Sequence, residues 1–309
     1  MTHTEMIFPQ PLKPGDKVAI LSPASYIDPA RVAGAATVLH QWGFTPVIYP
    51  HCNGRCGTYS GSIEERRDDL LHALSDPGIR AILCSRGGYG TVHLLPWLDR
   101  ELLRRDPKWI IGFSDISALH AAMVSAGVAS LHSSMTKLLA ERGGDDPCSR
   151  MLLDVLQGRL PCHEVPPHPL NRCGEATAMI VGGNLAVLSG LVSTPFDILR
   201  PGRILFIEDI SEEVYRVERM LYTLRLNGTL ARLCGLIVGR FTNYHNPDRN
   251  GDSMEQMIAR ITAPYGYPVA MGFPIGHIDD NRPIIEGAQA TLTVTPASST
   301  LQFHHKALD

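Results

Sequence analysis

Trp109-Ile110-Ile111-Gly112-Phe113-Ser114-Asp115-Ile116-Ser117-Ala118-Leu119-His120 joins an apolar, strand-like run to a helix-period segment through a Gly-x-Ser turn. A strand end fixes the backbone, the glycine two residues earlier permits close approach, and the turn lifts the hydroxyl clear of a sheet. The amide that follows the serine is then placed to donate to an oxyanion. The stretch reads as the nucleophile turn of an α/β fold, with Ser114 as candidate nucleophile and the Asp115 amide as candidate oxyanion donor. An ordinary helix cap is the competing reading, because Ile116 stands where the hydrolase elbow carries its second glycine.

Working outward, Lys17 to Leu21, Thr45 to Tyr49, Ala81 to Cys84 and Ala129 to His132 read as strands. Helices are predicted over Pro29 to Trp42, stopped by Gly43, and from Ser62, where Glu65 completes a capping box and Leu70, Leu71 and Leu74 give a buried face. Strands alternating with helices at this spacing predict a parallel sheet covered on both faces. Ligands of such sheets bind beyond the carboxyl ends of the strands, where both Ser114 and the loop Ser85-Arg86-Gly87-Gly88-Tyr89-Gly90-Thr91 are placed. That loop lacks GxGxxG spacing and a P-loop ending, so it is read either as a tight turn or as a second source of oxyanion amides, from Gly88.

The pattern breaks between Gly143 and Arg172, where Asp145-Asp146-Pro147, Pro161 and His163-Glu164-Val165-Pro166-Pro167-His168-Pro169 suggest a linker over 146–172. It would join an α/β domain over 1–145 to a second domain over 173–309. In the latter, Ile204 to Ile207 and Gly235 to Gly239 read as strands, Glu213 to Leu226 as a helix, and Ala288 to Phe303 as a terminal hairpin. Ala176 to Phe196 carries no charge, but its glycines, serines and Pro195 argue for strand, tight turn and buried helix over a membrane span.

Two domains also suit the 309 residues, and 44% hydrophobic with 19% charged residues is an ordinary globular balance. A net charge of −3 with interspersed signs offers neither a phosphate-neutralising stripe nor a polybasic anchor, which argues against nucleic-acid and membrane partners. The seven scattered cysteines read as free thiols, and Cys52-x-x-x-Cys56 lacks the second pair a zinc site needs, so no metal is expected. Met1 to Lys13 shows no export signal, which makes the cytoplasm the default location.

A serine nucleophile needs a base, and the base needs an orienting group. Of the 13 histidines, His40, His72, His93, His120 and His163 read as solvated or capped. His277 stands apart, in a loop between Gly272-Phe273-Pro274-Ile275-Gly276 and Ile278-Asp279-Asp280-Asn281. For the acid, Glu208 and Asp209 end the apolar run Leu205-Phe206-Ile207; either could orient an imidazole, or one could cap the following helix, and spacing does not choose between these.

With these pieces in view, the chain resembles the LD-carboxypeptidases, the muramoyltetrapeptide carboxypeptidase family of serine peptidases. The resemblance rests on Gly15-Asp16-Lys17-Val18-Ala19 with Ser22-Pro23-Ala24-Ser25, Arg86-Gly87-Gly88-Tyr89-Gly90, Gly112-Phe113-Ser114-Asp115, and Gly182-Gly183-Asn184-Leu185. It continues through Glu208-Asp209-Ile210, Tyr215-Arg216, Arg219-Met220-Leu221 and Gly272 to His277. It implies a parallel α/β domain followed by a smaller β-rich domain, with a triad of Ser114, Glu208 and His277 assembled across the cleft between them. It further implies removal of the terminal D-Ala from murein tetrapeptides without cofactor or metal, cell-wall recycling in the cytoplasm, and a homodimer. Arg86 is the candidate for the substrate's free carboxylate. Where the family pattern has His-Gly-Pro, this chain has His132-Ser133-Ser134-Met135, which bears on the shape of the cleft wall. Two other readings stand beside this one: the self-immunity branch of the family, which hydrolyses peptidyl aminoacyl-nucleotide antibiotics, and a non-catalytic α/β protein binding a small ligand.

Overall fold

The computed structural model describes residues 6–245 and 251–304; Met1 to Glu5, part of the segment read for an export signal, lie outside it. In chain order the elements begin β1 (Lys17–Leu21), α1 (Pro29–Gln41), β2 (Thr45–Ile48), α2 (Ile63–Ser75), β3 (Ile79–Cys84), α3 (Arg100–Arg105) and β4 (Trp109–Gly112). They continue with α4 (Ser117–Ala126), β5 (Ser130–His132), α5 (Thr136–Arg142), α6 (Pro147–Leu156), β6 (Cys162–Val165), β7 (Gly174–Asn184) and α7 (Leu185–Ser189). The rest are β8 (Arg203–Ile210), α8 (Val214–Leu226), β9 (Gly235–Thr242), α9 (Met254–Thr262), β10 (Val269–Ala270), β11 (Ile284–Glu286), β12 (Gln289–Val294) and β13 (Ser299–His304). Two compact units result: one runs to Arg159 and takes back Arg282–Gly287, the other comprises Leu160–Asn281 and the segment from Ala288.

The first unit is the parallel α/β fold the alternation predicts. Its six-stranded sheet has the order β11-β5-β4-β3-β1-β2, parallel except for β11, which pairs antiparallel with β5. β4 is wholly buried, which is why Trp109-Ile110-Ile111 reads as a continuous apolar run rather than an alternating one; β5 is buried as well, with polar Ser130 and His132 on either side of Leu131. The helix ends follow the sequence signals. Asp28 caps α1 ahead of Pro29, and both hydrogen bonds of the Ser62/Glu65 capping box start α2. Gly34 lets α5 approach α1, since a Cβ there would lie 2.6 Å from the Ala140 Cβ.

The second unit holds a seven-stranded mixed sheet, β10-β9-β8-β7-β12-β13-β6, parallel from β10 to β7 and antiparallel from there on. The hairpin β12–β13 closes through a Thr295–Ser298 turn, where the sequence placed it. Residues 174–184 are strand to their end, and the glycines of Gly182-Gly183-Asn184 lie inside β7, with Asn184 capping α7 directly. Within 146–172, Pro147 occupies the first turn of α6 behind the Asp146 cap, and β6 follows; proline there starts a helix. Among the described residues no helix is long and apolar enough to cross a membrane.

Candidate active site

β4 delivers Ser114 at φ +65°, in the left-handed region that a residue with a Cβ seldom occupies. Such a backbone is what a nucleophile elbow needs, because it turns the side chain away from the strand it follows. A short 3₁₀ turn, Ser114–Ile116, leads into α4. Ile116, which replaces the second elbow glycine, packs over Gly112: a Cβ on that glycine would come within 2.9 Å of the isoleucine side chain. The Gly112 carbonyl accepts from the Ser133 amide at 3.0 Å and from His120 Nε2 at 2.8 Å, which fixes the peptide plane ahead of the turn.

The glycine loop lies against this turn. A Cβ on Gly87 would lie 2.8 Å from the Ser114 Cβ, and one on Gly88, at φ +109°, would lie 2.8 Å from the Ser25 Cβ. The Ser25 amide donates to the Gly87 carbonyl at 3.3 Å, so the Ser22-Pro23-Ala24-Ser25 segment braces the loop from its other side. Asp115 is buried, and its carboxylate accepts from the Thr91 amide at 2.8 Å. Arg86 is exposed, with Nη1 donating to the Tyr26 carbonyl at 3.1 Å, and Tyr89 is exposed beside it.

In the second unit, β8 carries Glu208, 0% exposed, and its Oε2 accepts from His277 Nδ1 at 2.8 Å. Donation from Nδ1 selects the tautomer with the lone pair on Nε2, the form a general base requires. Glycines make room for the pair: a Cβ on Gly276 would lie 2.8 Å from Glu208 Oε2, and one on Gly239 would lie 3.3 Å from the Glu208 Cβ. The loop carrying His277 is laced to β9 by Phe273 N to Val238 O (2.9 Å) and Arg240 N to Ile275 O (2.8 Å). The Asn281 side chain accepts from the Gly276 amide at 2.9 Å. Asp209 does cap a helix, but the preceding one, α7, and not the following α8 that the sequence suggested. Its carboxylate accepts from Asn184 Nδ2 at 2.8 Å and from Ala186 N at 2.9 Å. Burial first, then the neighbouring Glu208, pushes Asp209 up to about 6.

This chain matches the LD-carboxypeptidase N-terminal domain over residues 18–133 and the LD-carboxypeptidase C-terminal domain over residues 177–292. It is 30% identical to the murein tetrapeptide carboxypeptidase of Pseudomonas aeruginosa, over 89% of this chain and 92% of that one. The chain belongs to the LD-carboxypeptidase family. Its structure is similar to that of the muramoyltetrapeptide carboxypeptidase from Oxalobacter formigenes, with a TM-score of 0.86 and 27% identity over 94% of this chain and 100% of that one. It shares its fold with the microcin C7 self-immunity protein bound to aspartyl sulfamoyl adenosine, with a TM-score of 0.84 at 20% identity over 97% of this chain and 100% of that one. The chain is thus an enzyme of the serine carboxypeptidase class, which sets aside the reading of a non-catalytic binding protein.

Two histidines depart from the solvated or capped setting read from sequence. His120 is fully buried between Ser130 Oγ, 2.6 Å from Nδ1, and the Gly112 carbonyl; burial holds it down at about 4. His163 is buried between the rings of Phe273 and Phe303. A helix-face pattern does not distinguish His120 from a solvated histidine, because imidazole is small enough for a core that supplies hydrogen-bond partners, and His163 lies on β6 within the segment read as a linker. Cys52 is buried 3.4 Å from Ser22 Oγ, and burial pushes its thiol up to about 11, whereas Cys56 is exposed.

Proposed function

We propose that this enzyme removes the terminal D-alanine from murein tetrapeptides, breaking the amide between the L-centre of the diamino acid and D-Ala. The observation that carries the proposal is the imidazole of His277 held in one tautomer by a fully buried carboxylate. In this reading His277 Nε2 takes the Ser114 Oγ proton as the oxygen attacks the scissile carbonyl, and Glu208 stabilises the imidazolium. The amides of Gly88 and Asp115 receive the negative charge that develops on the carbonyl oxygen. The imidazolium then returns the proton to the amine of D-Ala, which leaves. Water, deprotonated by the same histidine, hydrolyses the acyl-serine and restores the hydroxyl. Arg86 is the proposed contact for the terminal carboxylate, since its guanidinium is exposed while the Tyr26 carbonyl anchors one nitrogen. The proposal places the enzyme in cytoplasmic recycling of murein peptides, acting as a homodimer.

The test is mass spectrometry of a muramoyl tetrapeptide incubated with wild type or Ser114→Ala. Loss of one alanine with the wild type alone supports the reaction and the nucleophile. Equal cleavage by both removes the serine mechanism. No cleavage by a folded wild type moves the substrate to the peptidyl aminoacyl-nucleotides of the self-immunity branch.

A further inference from the structure

Arg66 is a charged residue on the buried face of α2, 2% exposed. Among the described residues no carboxylate lies within ion-pair distance of it. Its guanidinium instead donates to carbonyls of three separate turns: Nε to Gly61 at 3.2 Å, and Nη1 to Pro23 at 2.8 Å and to Gly90 at 3.0 Å. Nη2 reaches His93 Nδ1 at 3.3 Å, and the guanidinium lies 4.9 Å from the Tyr59 ring centre. A desolvated cation satisfied by backbone dipoles fixes those turns relative to one another, because moving any of them leaves a buried donor or acceptor unpaired.

One of these bonds bears on the active site. The peptide unit Gly90–Thr91 is held at both ends: its carbonyl accepts from Arg66, and its N–H donates to the Asp115 carboxylate at 2.8 Å. Cation and anion thus face opposite ends of one peptide dipole in the sense that stabilises it, away from water. Asp115 directly follows Ser114, and Gly90 directly follows the Gly87-Gly88-Tyr89 turn. The clamp also accounts for the third glycine, since a Cβ on Gly90 would lie 2.9 Å from both Arg66 Nη1 and the Tyr59 ring.

We propose that Arg66 and the Asp115 carboxylate are positioning residues, which clamp the Gly90–Thr91 peptide and so hold the glycine loop in register with the nucleophile turn. The proposal rests on Ser114 and the Gly88 amide acting as described above. Misregister of an oxyanion donor weakens the transition state more than the ground state, so the loss should appear in kcat.

The test is a double-mutant cycle of wild type, R66K, D115N and R66K/D115N. It is read by kcat and KM on a muramoyl tetrapeptide and by the rate at which a fluorophosphonate labels Ser114, with thermal unfolding of each variant alongside. Lysine keeps the charge and loses the fork, and asparagine keeps an acceptor and loses the charge. Each single variant is expected to lower kcat at least tenfold with KM within threefold, and to slow labelling in step. The double variant should fall no more than threefold below the worse single, because both act on one peptide. Losses that multiply, losses confined to KM, or wild-type rates in folded variants would overturn the clamp while leaving Ser114 in place. A wild type that the probe does not label at Ser114 would remove the nucleophile reading itself, and the clamp with it. If R66K does not fold, R66Q takes its place under the same criteria.

Discussion

At Ser114 a residue with a Cβ holds φ +65°, a conformation whose strain is of order 1 kcal/mol and that glycine adopts freely. Ser114→Ala and Ser114→Gly both lose the hydroxyl, so their difference isolates the backbone. Ser114→Gly is expected to be the more stable by about 1 kcal/mol in denaturant unfolding, with both variants inactive. Equal stabilities would mean that the turn is unstrained. Glu208→Gln keeps an acceptor for His277 Nδ1 and loses the charge that stabilises an imidazolium. It is expected to lower kcat by about 10³-fold with a small change in KM, measured on the tetrapeptide. The serine turn was legible because strand, glycine and serine are consecutive. Spacing did not choose Glu208 over Asp209, because neighbouring residues of a strand point to opposite faces and only the surroundings say which face meets the histidine; Glu208 was named by the family resemblance.

The same alternation governs the elements. β7 and β8 pair in parallel with Gly182 beside Phe206, and a Cβ at 182 would lie 2.4 Å from the Phe206 ring, in the middle of the second sheet. Gly182→Ala is therefore expected to destabilise the protein by about 3 kcal/mol, seen as a lower midpoint in chemical unfolding; a change under about 0.5 kcal/mol would mean that the strands shift to absorb it. Read from sequence alone, Gly182 and Gly183 looked like a turn, because glycine marks turns and close approach alike. β11 escaped notice for another reason. Three residues behind Pro283 carry no periodicity, and their strand state comes from pairing with β5, more than 150 positions earlier in the chain.

At the scale of the molecule, one buried group in each unit is expected to couple folding to pH, and the two couplings have opposite signs. His120, in the first unit, is held from 6.5 down to about 4, so the unfolded chain binds the extra proton and stability is lost as pH falls through that window. Asp209, in the second, is raised from 3.8 to about 6, so the folded state binds the extra proton and stability is lost as pH rises through that window. Each contribution is of order 3 kcal/mol when complete. Hydrogen exchange, corrected for intrinsic rates, is expected to show protection of β5 and α4 amides falling between pH 6.5 and 4.5 while that of β8 rises. Loss of protection in both units together would show that other groups dominate the acid response. His120→Gln and Asp209→Asn should each flatten the response of its own unit alone.

By itself the sequence determined the parallel α/β order of the first half, the helix caps, the serine turn and the terminal hairpin, because each is written in residues close together in the chain, as periodicity, capping or turn chemistry. The tertiary structure alone decided that Asp209 caps α7, which histidines are buried, that β11 returns to the first sheet, and that Arg66 binds three turns at once. Those outcomes depend on residues brought together from distant positions, where burial and the choice of hydrogen-bond partner leave no local pattern to read.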